Sequence, residues 1–366
     1  MSTSRPSPRR IHLLAGCRVS AVAIALVFTL FLALFSSRSA PAQTYAIGAD
    51  VSFLAQCEKD GLVFKENGKP VDVLALLREH HYNWVRLRVF HDPAAAPDKL
   101  PNDLAYTLAL ATRAKTMGFH LLLDLHYSDS WADPAKQPTP AAWAGLKHKQ
   151  LVKQVFAYTR DTIAAFVAAG AAPDMVQVGN EVTNGMLWPD GKLPDNWDNF
   201  SDLLQAGIAG VNAGRGSAPR PRIMIHIERS GNYDAAVWFY DNLIAHHVRF
   251  DVIGLSYYPF WHGNLATLRG NLHDLALRYR LPIIVVETAY NWTPGAMTVK
   301  KPDFPETPEG QLAFLRAVDE AVRSIPNGLG QGVFWWEPAA EGPLGGRSFF
   351  DFDGNVLPVI TAFDKP

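Results

Sequence analysis

Residues 175–182 read MVQVGNEV. The run begins as a strand built for burial and stops on Gly179, an amide (Asn180) and an acid (Glu181). A polar group buried there without a partner costs about 1–3 kcal/mol. Other short apolar runs end the same way. They are AIGADVS (46–52), WVRLRVF (84–90), HLLLDLH (120–126), RIMIHIE (222–228), VIGLSYY (252–258), PIIVVETA (282–289) and GVFWWEP (332–338). With 175–181 they make eight strand candidates.

Helical patterns separate them, from DVLALLREHH to EGQLAFLRAVDEAVRSI, with apolar residues three and four apart. That spacing marks one buried helix face. Gly118, Gly170 and Gly214 stand where C-terminal caps are expected. Strands that alternate with helices imply a parallel sheet with crossover helices. A run such as PIIVV lacks polar alternation, as a strand covered on both faces requires. Eight such units predict the α/β fold class and a (β/α)8 TIM barrel in a single domain. An open doubly wound sheet is the alternative, but no glycine-rich dinucleotide fingerprint follows the first strand.

The chain has 366 residues, a net charge of −1 and 48% apolar residues. This balance suits a sizeable core and gives no basis for a nucleic-acid partner. The first 42 residues differ. Arg9, Arg10 and Arg18 precede the apolar run VSAVAIALVFTLFLALF, and Ala40-Pro41-Ala42 fits a small-x-small cleavage site. Residues 1–42 are therefore expected to be a cleaved signal peptide and 43–366 the catalytic domain, secreted or periplasmic. An uncleaved anchor is the alternative, because the run is near the lower length for spanning a bilayer. The apolar run follows Cys17 rather than preceding it, which argues against a lipoprotein. Only Cys57 would remain after cleavage, and one cysteine makes no internal disulfide.

In a barrel, the C-terminal strand ends converge on one face. That face would collect Arg86, Arg88, Asp124, His126, Asn180, Glu181, His226, Glu228, Tyr257, Tyr258, Glu287, Trp335, Trp336 and Glu337. The following loops carry Trp131, Trp188, Trp197, Trp261 and Trp292. Any one of these tryptophans could simply pack a loop. As a set they suit sugar rings, whose C–H faces lie on flat aromatic walls. Glycosidic hydrolysis commonly uses two carboxyl groups, one protonated and one ionised. Glu181, Glu228, Glu287, Glu337 and Asp124 are candidates, and spacing does not choose among them. The His80-His81 and His246-His247 doublets lie at helix ends and read as solvated or capping residues. His126 and His226 could ligate a metal, but no metal-binding motif supports this, and neither metal nor cofactor is expected.

Seven motifs are more specific. GADVSFL, WVRLRVFHDP, DLHYSDSWADPAKQ, PDMVQVGNEVTNGMLWPDG, FDVIGLSYYPFWHG, VVETAYNWT and GVFWWEPA resemble those of the endo-β-1,4-galactanases of glycoside hydrolase family 53. The resemblance covers nearly all of the chain after Tyr45, in order. It implies a (β/α)8 barrel that cuts within β-1,4-galactan, a side chain of pectin, with retention of configuration. By resemblance Glu181 is the general acid/base and Glu287 the nucleophile.

On that assignment the two carboxyl groups should lie about 5–5.5 Å apart. Arg86 or Arg88, with Tyr257 or Tyr258, would keep Glu287 ionised. Asn180 would hold the sugar 2-hydroxyl. Trp335 or Trp336 would floor the cleft, and Asp124, His126, Trp131 and His262 would line subsites. Some bacterial members carry an Asp-rich calcium-binding run after the seventh strand. Here the loop reads NWTPGAMTVKKPDFPETPEGQ, and Asp303 and Glu306 are too few for such a site. The expected partner is polysaccharide alone, with a monomeric enzyme and no stable membrane association after cleavage. A mannanase, cellulase or xylanase on the same machinery, or a non-catalytic glycan-binding barrel, are the competing readings.

Overall fold

All eight expected strands form, and they close on themselves. In chain order they are β1 (Ala46–Asp50), β2 (Trp84–Val89), β3 (His120–Leu125) and β4 (Met175–Val178), then β5 (Arg222–Ile227), β6 (Val252–Tyr257), β7 (Ile283–Thr288) and β8 (Gly330–Trp336). Neighbours in the chain pair in parallel, and β1 also pairs with β8, which leaves no sheet edge. The closure excludes the open doubly wound alternative. This computed structural model describes residues 1–3, 44–295, 302–340 and 342–364. The expected export segment falls outside the described residues apart from its first three. Tyr45–Pro366 forms one unit.

Helices cover the barrel between strands. They are α1 (Val73–Glu79), α2 (Leu104–Thr116), α3 (His148–Ala168), α4 (Trp197–Gly214), α5 (Tyr233–Ala245), α6 (Leu265–Tyr279) and α7 (Pro308–Arg323). A 3-10 turn at Pro358–Phe363 packs on α7 in the eighth place. Asp72, Asp103, Asn232, Asn264 and Thr307 accept hydrogen bonds from the third residue of their helices. Each satisfies an amide that helix geometry leaves unpaired, which fixes where the helix starts.

Gly118 and Gly170 take left-handed backbone just past α2 and α3, as expected. Gly214 does not: it lies inside α4. A Cβ there would sit 2.3 Å from the Arg160 carbonyl of α3, and one on Gly210 would sit 2.7 Å from the Phe156 carbonyl. These glycines let two helices touch along their backbones rather than ending one of them.

Strand alternation sorts side chains between the barrel interior and the helix layer. Trp84, Leu122, Met175, Met224, Val252, Ile284 and Phe334 plug the barrel's lower end. Val85, Leu87, Leu121, Leu123 and their like point outward into the main core. Counting by twos from the plug toward the strand ends reaches Arg86, Asp124, Gln177, His226, Ser256 and Trp336. The barrel therefore changes from apolar to polar midway along its axis.

Candidate active site

β4 ends at Val178, and Gly179 and Glu181 both adopt left-handed backbone, with φ of 82° and 46°. A non-glycine residue in that region is strained and needs its surroundings to hold it. Gln137 does so by donating to the Asn180 carbonyl at 2.8 Å. The turn directs the Asn180 amide down into the barrel and the Glu181 carboxyl over its mouth. This is why the valine run stops on an amide and an acid.

Arg86 is the hub beneath the mouth. Its guanidinium meets Asp50 at 2.7 Å, Asp124 at 2.8 Å, Glu287 at 2.8 Å and the Asn180 Oδ1 at 2.9 Å. Gln177 joins Asp124 to Asn180 with bonds of 2.7 and 3.0 Å. Burial opposes the charge on Arg86, but Asp124, Glu287 and Asp50 together hold it charged. Asp124 is likewise held below the usual carboxylate range: burial opposes this, and Arg86 and His126 outweigh it.

Glu181 and Glu287 face each other, with carboxylate oxygens within 4.8 Å. Their surroundings differ. Glu287 has the Arg86 cation and the Tyr258 hydroxyl, which donates at 3.0 Å. Glu181 has the Ser256 hydroxyl at 2.6 Å and, among the described residues, no cation in contact. Burial, then the charges of Glu287 and Glu228, push Glu181 well above the carboxylate range. Glu287 is raised too, chiefly by burial, but Arg86 and the Tyr258 hydroxyl oppose the rise. The pair thus holds a proton on Glu181 and a charge on Glu287.

The mouth opens into a cavity of about 680 Å³. Trp131 and Trp336 stand on one wall with centroids 6.2 Å apart. Tyr258 and Trp261 stand on another at 5.4 Å, and Trp261 is 59% exposed. Arg88 also lines the cavity, paired with Glu337 at 2.6 Å and packed between the Phe53 and Trp131 rings. His126 and His262 line it too. His262 accepts from the Tyr258 amide, and burial followed by the Arg229 charge lowers it to about 4.

Three expected lining residues lie elsewhere. Trp335 points outward between Phe314 and Phe349, its indole N–H donating to the Arg347 carbonyl. Period-two alternation puts Trp336, with Phe334, on the inner face. Tyr257 points outward onto Phe314 while Tyr258 points in. Asp124 is fully buried below the cavity and acts through Arg86 and His126. Among the loop tryptophans, Trp188, Trp197 and Trp292 pack or anchor loops.

Asp50, Gln177, Ser256 and Arg347 were not anticipated. Asp50 ends its strand with the same polar signature as the others. Ser256 and Gln177 sit inside strands with no local signal. His126 and His226 each have both ring nitrogens hydrogen-bonded, and His226 brings one ring nitrogen within 4.8 Å of a Glu181 oxygen and a Glu287 oxygen. In the loop after β7, Asp303 accepts from the Leu265 amide and Glu306 from Asn291. Residues 296–301 of that loop lie outside the described residues.

Residues 46–363 match the profile of glycosyl hydrolase family 53. The chain belongs to glycoside hydrolase family 53. A probable arabinogalactan endo-β-1,4-galactanase A of Aspergillus terreus is 37% identical over 306 residues, covering 80% of this chain and 85% of that one. The arabinogalactan endo-β-1,4-galactanase of Humicola insolens is 36% identical, covering 80% and 89%. The family 53 catalytic domain of Ignisphaera aggregans superposes with a TM-score of 0.82 at 34% identity, over 89% of this chain and 97% of that one. This family 53 chain is a glycoside hydrolase on a TIM barrel, and the carboxylate pair sits at the mouth of that barrel.

Proposed function

We propose that this glycoside hydrolase is an exported endo-β-1,4-galactanase that retains anomeric configuration. The observation that carries the mechanism is the Glu181–Glu287 separation, within 4.8 Å between oxygens. Retaining enzymes hold their carboxyl groups about 5–5.5 Å apart, too close for an intervening water and right for direct attack. Glu181 gives its proton to the glycosidic oxygen as a Glu287 oxygen attacks the anomeric carbon. The C–O bond breaks, and a galactosyl ester forms on Glu287. Glu181, now ionised, takes a proton from water as that water attacks the same carbon, which frees Glu287 and restores the acid. Asn180 keeps one amide proton for the sugar 2-hydroxyl, because Nδ2 spends the other on the Ala132 carbonyl.

The galactan specificity rests on the names of the relatives. The presence of Glu181 and Glu287, in their expected surroundings, argues against a non-catalytic binding barrel. The deciding experiment compares products from linear β-1,4-galactan, mannan, xylan and a soluble cellulose derivative. Internal cleavage of galactan, with β-anomers formed first by NMR, is the expected result. Preference for another polymer, or first release of α-anomers, overturns the reading.

Export rests on residues 1–42. On this reading the mature chain, residues 43–366, works as a monomer, secreted or in the periplasm, on pectin side chains. N-terminal sequencing of the protein recovered outside the cytoplasm should begin at Gln43.

A further inference from the structure

A chain of three hydrogen bonds runs from the floor of the site to the acid. Asn180 Oδ1 lies 3.1 Å from His226 Nδ1, His226 Nε2 lies 2.8 Å from the Ser256 Oγ, and the Ser256 Oγ lies 2.6 Å from a Glu181 oxygen. The direction of each can be worked out. The Asn180 amide is fixed because Nδ2 donates to the Ala132 carbonyl while Oδ1 accepts from Arg86 and Gln177. Oδ1 cannot donate, so His226 Nδ1 carries a hydrogen. Burial, then the Arg86 charge, with His126 and His262 adding to it and Asp124 opposing, keeps the imidazole neutral. Its Nε2 is then a bare lone pair, and only the Ser256 hydroxyl can donate to it. A hydroxyl has one hydrogen. Ser256 therefore meets Glu181 as an acceptor, which requires the proton to be on Glu181.

Once Glu181 gives that proton away, the same contact would set a carboxylate against a hydroxyl lone pair. The geometry points to the Ser256 hydroxyl as a two-position switch. It donates to His226 while Glu181 holds its proton, and it turns to donate to Glu181 after the proton has gone. His226 and Ser256 are thus positioning residues. Through Ser256, the Nε2 lone pair of His226 biases Glu181 toward its acid form. This rests on the reading of Glu181 as the acid/base. The charged groups acting on Glu181 are Glu287, Glu228 and Arg86, and Arg86 also fixes the Asn180 amide and helps to keep His226 neutral.

The bias is testable because asparagine reproduces the Nδ1 side of histidine and lacks Nε2. His226→Asn keeps a donor for Asn180 and frees the Ser256 hydroxyl for Glu181. The readout is the pH dependence of kcat/KM on linear β-1,4-galactan, whose basic limb reports loss of the acid's proton. The expected result is a basic limb moved down by about one pH unit, or tenfold in proton affinity. In the Ser256→Ala background the same histidine substitution should leave the limb where Ser256→Ala alone puts it. A limb that stays put, that moves up, or that still shifts without Ser256 overturns the switch.

Ser256→Ala by itself should lower kcat roughly tenfold with KM within about twofold, and Ser256→Thr should restore most of it. A kcat within twofold of the parent in Ser256→Ala overturns the switch even where His226→Asn does not fold. Full activity in Glu181→Gln marks a different failure, that of the acid/base reading itself.

Discussion

The Arg86 guanidinium on β2 and the Glu287 carboxylate near the end of β7 meet at 2.8 Å across the barrel mouth. Both side chains are buried. The contact does two jobs. It stabilises the ionised form that a nucleophile needs, and it neutralises part of a cluster holding Asp50 and Asp124 as well.

Arg86→Met removes one cation from three buried carboxylates. Breaking a buried pair by removing one partner costs about 3–5 kcal/mol. At about 2–4 °C per kcal/mol for a domain approaching this size, Tm should fall by roughly 10 °C. Activity should fall further than Tm explains, because Glu287 loses the charge that keeps it ionised. Thermal melts and initial rates at one temperature separate the two effects.

The acid and the nucleophile should respond differently to leaving-group chemistry. A galactoside with a nitrophenolate leaving group needs no proton to depart. Glu181→Ala should therefore retain formation of the galactosyl-enzyme on that substrate, seen as a burst of nitrophenolate, while losing about 10²–10⁴-fold on galactan. Glu287→Ala should lose both substrates and give no burst. A burst in Glu287→Ala would reverse the assignment.

Glu228 follows β5 directly and contributes negative charge at Glu181. It is held by the Thr183 hydroxyl at 2.6 Å and Arg229 at 2.8 Å. Glu228→Gln keeps the shape and removes the charge. Glu181 would then give up its proton more readily, so the basic limb of kcat/KM should move to lower pH while the acid limb, set by Glu287, stays. Rates measured on galactan across the acid and basic limbs check both.

The fold was legible because burial leaves a pattern. A run such as PIIVV had to be covered on both faces, and each of the eight runs ended in groups that a shared mouth could satisfy. The short helices at Leu54–Lys59 and Pro259–His262 leave no signal in the sequence because one or two turns carry no period. Trp336 and Tyr258 were each one of two adjacent candidates. Parity settles Trp336 once Phe334 is known to face the plug. A register shift between Leu255 and Ser256 sets Ser256 beside Glu287, and such bulges gather where strands re-aim side chains at a site. Ser256 was illegible because serine within a strand is ordinary until its partners, distant in sequence, are in place. Gly214 was misread because a glycine at the end of a periodic run looks the same whether it caps a helix or admits another one.

That misreading yields a stability prediction. Gly170→Ala puts a Cβ into open space but on left-handed backbone, at a cost of about 1–2 kcal/mol. Gly214→Ala has permissible backbone but drives a Cβ toward the Arg160 carbonyl. Overpacking of this kind costs about 1–3 kcal/mol and moves α4 away from α3. Pairing each with Arg160→Ala leaves both costs in place, because the clash at Gly214 is with backbone. Shortening side chains of α3 should not rescue it. Urea midpoints of the four variants test this.

The acid itself should carry a stability cost. Glu181 titrates well above the ordinary carboxylate range in the fold, chiefly through burial, whereas in the unfolded chain it titrates near 4.3. With the folded value raised, the folded state binds the extra proton between the two values. Its stabilising effect is therefore complete below about pH 4 and is lost as pH rises toward the folded value. Glu181→Gln keeps a donor to the Ser256 hydroxyl and removes the titration. Its Tm should match the parent near pH 4 and exceed it at pH 7, although the variant is inactive on galactan. A Tm at or below the parent's at pH 7 would mean that Glu181 is ionised at rest, and the proton-donating step would then have no donor.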